Sequence, residues 1–177
     1  MTLFNKFRGL TTWAILILVV VLFPSAVKSQ TLTYIDNDAD YILELPSPKW
    51  RTVTVSGIVR TSTEFRYGDE GLVQLRIRKE LVDAGVTPAD LVQRQQRFDR
   101  VSLVGYVKGK VESFEGQLNG TRYPYEYVTA GKPMAGLIYY LQANNRIVYR
   151  IEFTGPADEL RILTNQTEFI AQSFRLK

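Results

Sequence analysis

Between Val111 and Phe153 apolar and polar residues alternate with a period of two, and turn residues cut the alternation into segments. Only a strand puts successive side chains on opposite faces, so this stretch is confined to a sheet. Ile147, Tyr149, Ile151 and Phe153 alternate with Arg146, Val148, Arg150 and Glu152. Asn119-Gly120 matches a two-residue hairpin turn and is expected to join Val111–Leu118 to Thr121–Thr129. Gly131-Lys132-Pro133 reads as the next loop before Met134–Gln142, and Asn144-Asn145 as the turn into Arg146–Phe153. Connections this short make neighbouring strands antiparallel.

The rest of the chain supplies further strands and two helices. Tyr41–Leu45 and Trp50–Arg60 read as strands, and Glu64–Tyr67 with Leu72–Arg78 as a hairpin around Gly68-Asp69-Glu70-Gly71. Thr87-Pro88-Ala89-Asp90 is a helix start, with Thr87 as the cap and Pro88 in the first turn. Leu91, Phe98 and Val101 are expected to be that helix's apolar stripe. Gly155-Pro156 closes the sheet and opens a final helix, whose Leu160, Leu163, Ile170 and Phe174 share one face. The expected fold class is α+β, an antiparallel sheet of about six strands packed between helices.

Residues 1–29 have the composition of a secretory signal peptide. Lys6 and Arg8 precede an apolar run from Trp13 to Phe23, and Pro24 and Ser25 break it. Cleavage is expected after Ser29, with Ala26 as the alternative site. An uncleaved anchor over Gly9–Val27 is the competing reading. Residues 30–40 read as a flexible lead-in and 41–177 as one domain. The chain has 22 basic and 18 acidic residues; without the leader's Lys6, Arg8 and Lys28 the balance is 19 to 18. So neutral a domain argues against nucleic acid, whose phosphates demand cations. It also argues against a purely electrostatic hold on lipid. With no cysteine, apolar packing alone must hold the domain together.

The opening strand with its prolines and tryptophan, Ile42-Leu43-Glu44-Leu45-Pro46-Ser47-Pro48-Lys49-Trp50, resembles the start of PsbP-like domains. The ending is similar to theirs too: Ile151-Glu152-Phe153-Thr154-Gly155-Pro156, then a helix closing with Ile170-Ala171-Gln172-Ser173-Phe174-Arg175. This resemblance implies an α/β/α sandwich. It also implies an accessory or binding role, as in the extrinsic photosystem II subunit, small exported bacterial proteins and a nuclear-import factor that binds a small GTPase. The matching positions are packing and turn residues, so no functional residue carries over.

Histidine is absent as well as cysteine. That removes Ser-His-Asp and Cys-His catalysis, zinc bound by His or Cys, and redox thiols. Carboxylate pairs remain, with Glu112 and Glu115 or Glu126 and Glu152 as candidates for glycoside hydrolysis. So does a Ser-Lys dyad, for which Lys108 or Lys110 would have to be buried. Asp36, Asp38 and Asp40 echo a calcium loop, but Tyr41 and Ser47 stand where its glycine and bidentate glutamate belong. Asn119 and Asn165 lie in glycosylation sequons. Arg94, Arg97 and Arg100 offer a basic helix face to an acidic partner.

Tyr123, Tyr125 and Tyr127 are the foremost binding candidates, because their spacing puts three rings on one sheet face; Tyr139 or Tyr140 would extend the patch. The competing reading makes the same rings core. Taken together, the residues suggest an exported accessory or binding protein, periplasmic or secreted, with no catalytic residue, metal or cofactor. Its partner would be an envelope protein complex or a small ligand, with no membrane insertion once the leader is cut. A carboxylate-dependent hydrolase acting on carbohydrate and a membrane-tethered structural protein are the alternatives.

Overall fold

The alternating stretch forms the expected meander at the centre of a larger sheet. The computed structural model describes residues 31–35, 39–53 and 62–177, so the leader and residues 54–60 of the expected Trp50–Arg60 strand lie outside it. The strands are β1 (Leu32–Ile35), β2 (Tyr41–Leu45), β3 (Trp50–Val53), β4 (Ser62–Tyr67), β5 (Val73–Leu81), β6 (Val107–Lys108), β7 (Glu112–Phe114), β8 (Gly120–Thr129), β9 (Lys132–Asn144), β10 (Ile147–Pro156) and β11 (Arg175–Leu176). The helices are α1 (Pro88–Ser102), α2 (Ala157–Ile162) and α3 (Thr164–Ser173).

The main sheet runs β3-β4-β5-β10-β9-β8-β6, with β7 also on β8, and every pairing is antiparallel. Among the described residues it thus has eight strands where about six were expected. A second sheet, β1-β2-β11, stands apart from it. Its first strand lies in the segment read as a flexible lead-in. Leu32 to Ile35 pair with Leu45 to Ile42.

Two hairpins differ from the sequence reading. Gly120 is not a turn residue: it lies in β8 opposite Phe114, and residues 115–119 make the connection. A Cβ on Gly120 would lie 1.9 Å from the Tyr140 carbonyl oxygen, so this glycine serves close strand approach. The tight turn is instead Ala130-Gly131, at φ 49° and 75°, with Thr129 opposite Lys132. Positive φ at both central residues gives the twist a two-residue hairpin needs.

The two sheet faces have different partners. On one, Leu75, Ile77, Leu137, Tyr139, Leu141, Ile151 and Phe153 form the main core with Leu43, Trp50, Leu160, Ile170 and Phe174. Burying one such side chain stabilises the fold by about 1.5–3 kcal/mol. The expected closing helix is two helices meeting at Leu163, and all four residues of its predicted apolar face are buried. On the other face, α1 covers Tyr123, Tyr125, Ile138, Tyr140 and Val148 with Leu91 and Val92. Thr87 and Asp90 close a reciprocal capping box at its start, with Asp90 Oδ2 accepting from the Thr87 N–H at 2.8 Å.

Candidate functional site

The alternation along β8 puts Tyr123, Tyr125 and Tyr127 in one stack on the α1 face. Tyr123 and Tyr125 have ring centroids 5.5 Å apart, and Tyr125 and Tyr127 5.8 Å. Tyr123 is 0% exposed and Tyr125 6%, so two of the three rings are core and only half-buried Tyr127 reaches solvent. Tyr140 joins them, whereas Tyr139 faces the main core against Phe114. Tyr125 also covers Gly136, where a Cβ would fall 2.1 Å from the ring.

Beneath α1 these rings meet a buried polar network. Arg150 Nη2 donates to Glu152 Oε1 at 2.7 Å, and both side chains are 13% exposed. Arg150 Nη1 donates to Gln95 Oε1 at 2.9 Å, while Gln95 Nε2 donates to Asp99 Oδ1 at 2.7 Å. The Tyr106 and Tyr123 hydroxyls share a hydrogen bond at the edge of the network. Burial pushes the Asp99 carboxyl up, against the opposing pull of Gln95 and Arg150. Glu80 is raised for the same first reason, with Arg150 and Arg78 opposing. Burial and the Tyr106 bond raise the Tyr123 phenol, and burial beside Glu152 raises that of Tyr125. The two phenols keep their protons at neutral pH, and the Gln95 bonds to Arg150 and Asp99 tie α1 to the sheet. Asp99 is only 2% exposed, which shuts a substrate out.

The carboxylate pairs do not converge. Glu126 is opposite Ala135 and Glu152 opposite Ile138, positions of opposite parity on β9, so the two acids lie on opposite faces. Glu112 is bound by Arg122 at 3.0 Å and Lys110 at 3.1 Å. Those contacts, the Lys110 bond first, hold its carboxyl below the usual range. Glu115 stands exposed in the loop beyond it. Lys108 is exposed and Lys110 is 83% exposed, so neither is the buried base of a Ser-Lys dyad. Asp36 and Asp38 lie outside the described residues. Asp40 is taken by Lys79 and by the Tyr149 hydroxyl, which donates to it at 2.6 Å. Among the described residues no three metal-ligating side chains cluster. Asn119 and Asn165 are exposed.

The surface around α1 is where the sequence reading missed most. Phe98 and Val101, expected in the apolar stripe, are 66% and 88% exposed. The inner face is instead Leu91, Val92, Gln95 and Asp99. Two polar residues pointing inward disguised that face. Arg97 and Arg100 line a groove of about 630 Å³ with Lys108, between α1 and residues 103–108. A second hollow, of about 380 Å³, lies where β8 and β9 meet α2, over Pro124, Gly136, Leu137 and Leu160.

An antiparallel sheet with one helix on one face and two on the other is a PsbP-like arrangement, and comparison with solved structures bears this out. The cyanobacterial PsbP, CyanoP, of Synechocystis sp. PCC 6803 superposes at TM-score 0.58 with 16% identity, over 86% of this chain and 96% of that one. LpqN of Mycobacterium tuberculosis, involved in cell envelope biogenesis, superposes at 0.51 with 13% identity over 84% and 91%. The Saccharomyces cerevisiae Ran-binding protein Mog1p gives 0.59 with 8% identity over 84% and 96%. A Bacteroides thetaiotaomicron protein gives 0.58 at 13% identity over 85% of this chain, which spans about half, 49%, of its length. No family model and no curated protein matches the sequence. The chain has a PsbP-like fold, and at these identities the likeness speaks for the fold alone.

Proposed function

We propose that the chain is a non-enzymatic accessory protein of the cell envelope, exported through its N-terminal leader and acting by binding. The observation that carries this reading is the state of its acids. Glu152 is held by Arg150, Glu112 by Arg122 and Asp99 by Gln95, and the sheet separates Glu126 from Glu152. Glycoside hydrolysis needs two carboxyls flanking one substrate bond, and none of these pairs offers that. The leader composition and the envelope role of LpqN support the location. The partner's contact on the tyrosine face would be Tyr127, whose ring alone of the three reaches solvent.

Two measurements test the reading. Purified protein is offered chromogenic glycosides between about pH 4 and pH 8, with Asp99→Asn and Glu152→Gln as controls. No turnover is expected; turnover lost in a well-folded variant makes the chain a carboxylate hydrolase. N-terminal sequencing of the protein from fractionated cells is expected to begin at Gln30. A chain still carrying Met1 in the membrane fraction makes it a tethered protein instead.

A further inference from the structure

We propose that the outer face of α1 and the segment after it rest on an anionic lipid surface. Arg94, Arg97, Phe98 and Val101 stand at i, i+3, i+4 and i+7 and so share one helix face. The adjoining arc of the helix is fixed to the sheet through Leu91, Val92, Gln95 and Asp99. Phe98 is 66% exposed, Val101 88% and Val104, just past the helix, 74%. Residues this exposed protrude. A groove that clasps a peptide holds its apolar residues recessed, whereas a bilayer boundary receives apolar side chains that project into it.

The charges beside these residues fit the same occupant. Arg97, Arg100 and Lys108 line the groove of about 630 Å³, with Gln93, Gln96 and Tyr106 and with no acidic side chain among its lining residues. Among the described residues none of Arg94, Arg97, Arg100 or Lys108 takes part in an ion pair. Guanidinium groups can donate in pairs to phosphate oxygens. Phe98 and Val101 would then enter the headgroup boundary while the arginines bind lipid phosphates at the same depth. With 19 basic against 18 acidic residues beyond the leader, the hold is local and needs both contributions. This inference stands on a different surface from the accessory reading and survives that reading's failure.

The absence of cysteine makes the test direct. An environment-sensitive fluorophore is attached to Val101→Cys in the full chain and, as a control, to Leu72→Cys beyond the β4–β5 turn. Vesicles of phosphatidylcholine are compared with vesicles that also contain phosphatidylglycerol. The label at position 101 is expected to shift to the blue and brighten on the anionic vesicles alone, and the label at 72 to stay unchanged. The leader can recruit the chain to either vesicle, so the position of the label, not recruitment, is the readout. Each basic residue near an anionic surface strengthens binding about fivefold. Reversing two charges in Arg97→Glu/Arg100→Glu should raise the anionic lipid needed for half of the label's response at least about 25-fold, with circular dichroism confirming the fold. No shift at position 101, or an equal shift on neutral vesicles, overturns the proposal. A shift produced by polyglutamate or inorganic phosphate but not by vesicles also overturns it, and reassigns the surface to an acidic protein or a soluble anion.

Discussion

The Tyr125 hydroxyl donates to Glu152 Oε1 across 3.2 Å, and that same oxygen takes Arg150 Nη2. One carboxylate oxygen thus ties β8 to β10 across the intervening strand, on the face that α1 covers. Arg150 Nε is buried and finds no partner among the described atoms, which leaves Glu152 and Gln95 to satisfy the guanidinium.

Glu152→Ala should therefore cost about 3–5 kcal/mol, because it strands a buried cation. The paired change Arg150→Met/Glu152→Leu should come out near neutral, because desolvation and attraction are lost together. Urea midpoints measure both. A single-variant loss below about 1 kcal/mol would mean that water reaches the guanidinium and that the network does not pin α1.

Gly136→Ala should destabilise by about 1–3 kcal/mol through overpacking. Its new methyl would sit 2.1 Å from the Tyr125 ring, which Tyr123 and Tyr127 flank on either side. In a Tyr125→Ala background the same change should cost little. A double-mutant cycle reads the coupling, and strict additivity would show that the ring moves aside freely.

The pH dependence follows from the direction of the buried acids. Asp99 and Glu80 have folded-state values raised above those of the unfolded chain, by burial in both cases. Their stabilising contribution is full below the unfolded carboxylate value, about 4, and is lost as pH rises through the folded values. Asp99→Asn keeps an oxygen for Gln95 and has no charge to bury. It should match the parent near about pH 4 and exceed it near about pH 8. Equal midpoints at both ends would show that Asp99 ionises without penalty.

Most of the sheet was legible because one of its faces is uniformly apolar. Tyr149, Ile151 and Phe153 point into the main core, as the period-two pattern demanded. The hidden parts are places where a residue type serves an unusual purpose. Asn119-Gly120 looks like a turn, yet Gly120 is there for its missing Cβ beside Tyr140. Gln95 and Asp99 look like surface residues, yet they form the polar underside of α1, so the apolar stripe was drawn through Phe98 and Val101. The two-residue β6 and β11 are too short to show any period. The tyrosine stack was visible as a stack, but whether a helix would cover it depends on tertiary packing.

Val101 and Leu91, one exposed and one buried member of that expected stripe, give a contrast that stability can read. Val101→Ser should change stability by no more than about 0.5 kcal/mol, and Leu91→Ala should cost about 2–5 kcal/mol. Thermal or urea unfolding measures both. A large loss at Val101 would place it in the core after all.

The small sheet joins the two ends of the domain. β11 pairs with β2, Ser173 Oγ accepts from the Glu44 N–H at 2.9 Å, and the Lys177 N–H donates to the Asp40 carbonyl at 3.1 Å. The first and last strands of the described residues therefore share one structural unit. Until the ribosome has released the final turn of α3 and the strand after it, β2 has no partner on that side and Leu43 has no lid. Contacts of such sequence separation form late. The small sheet is consequently the last part of the domain to close, after every strand of the short-turn meander β8-β9-β10 has been made.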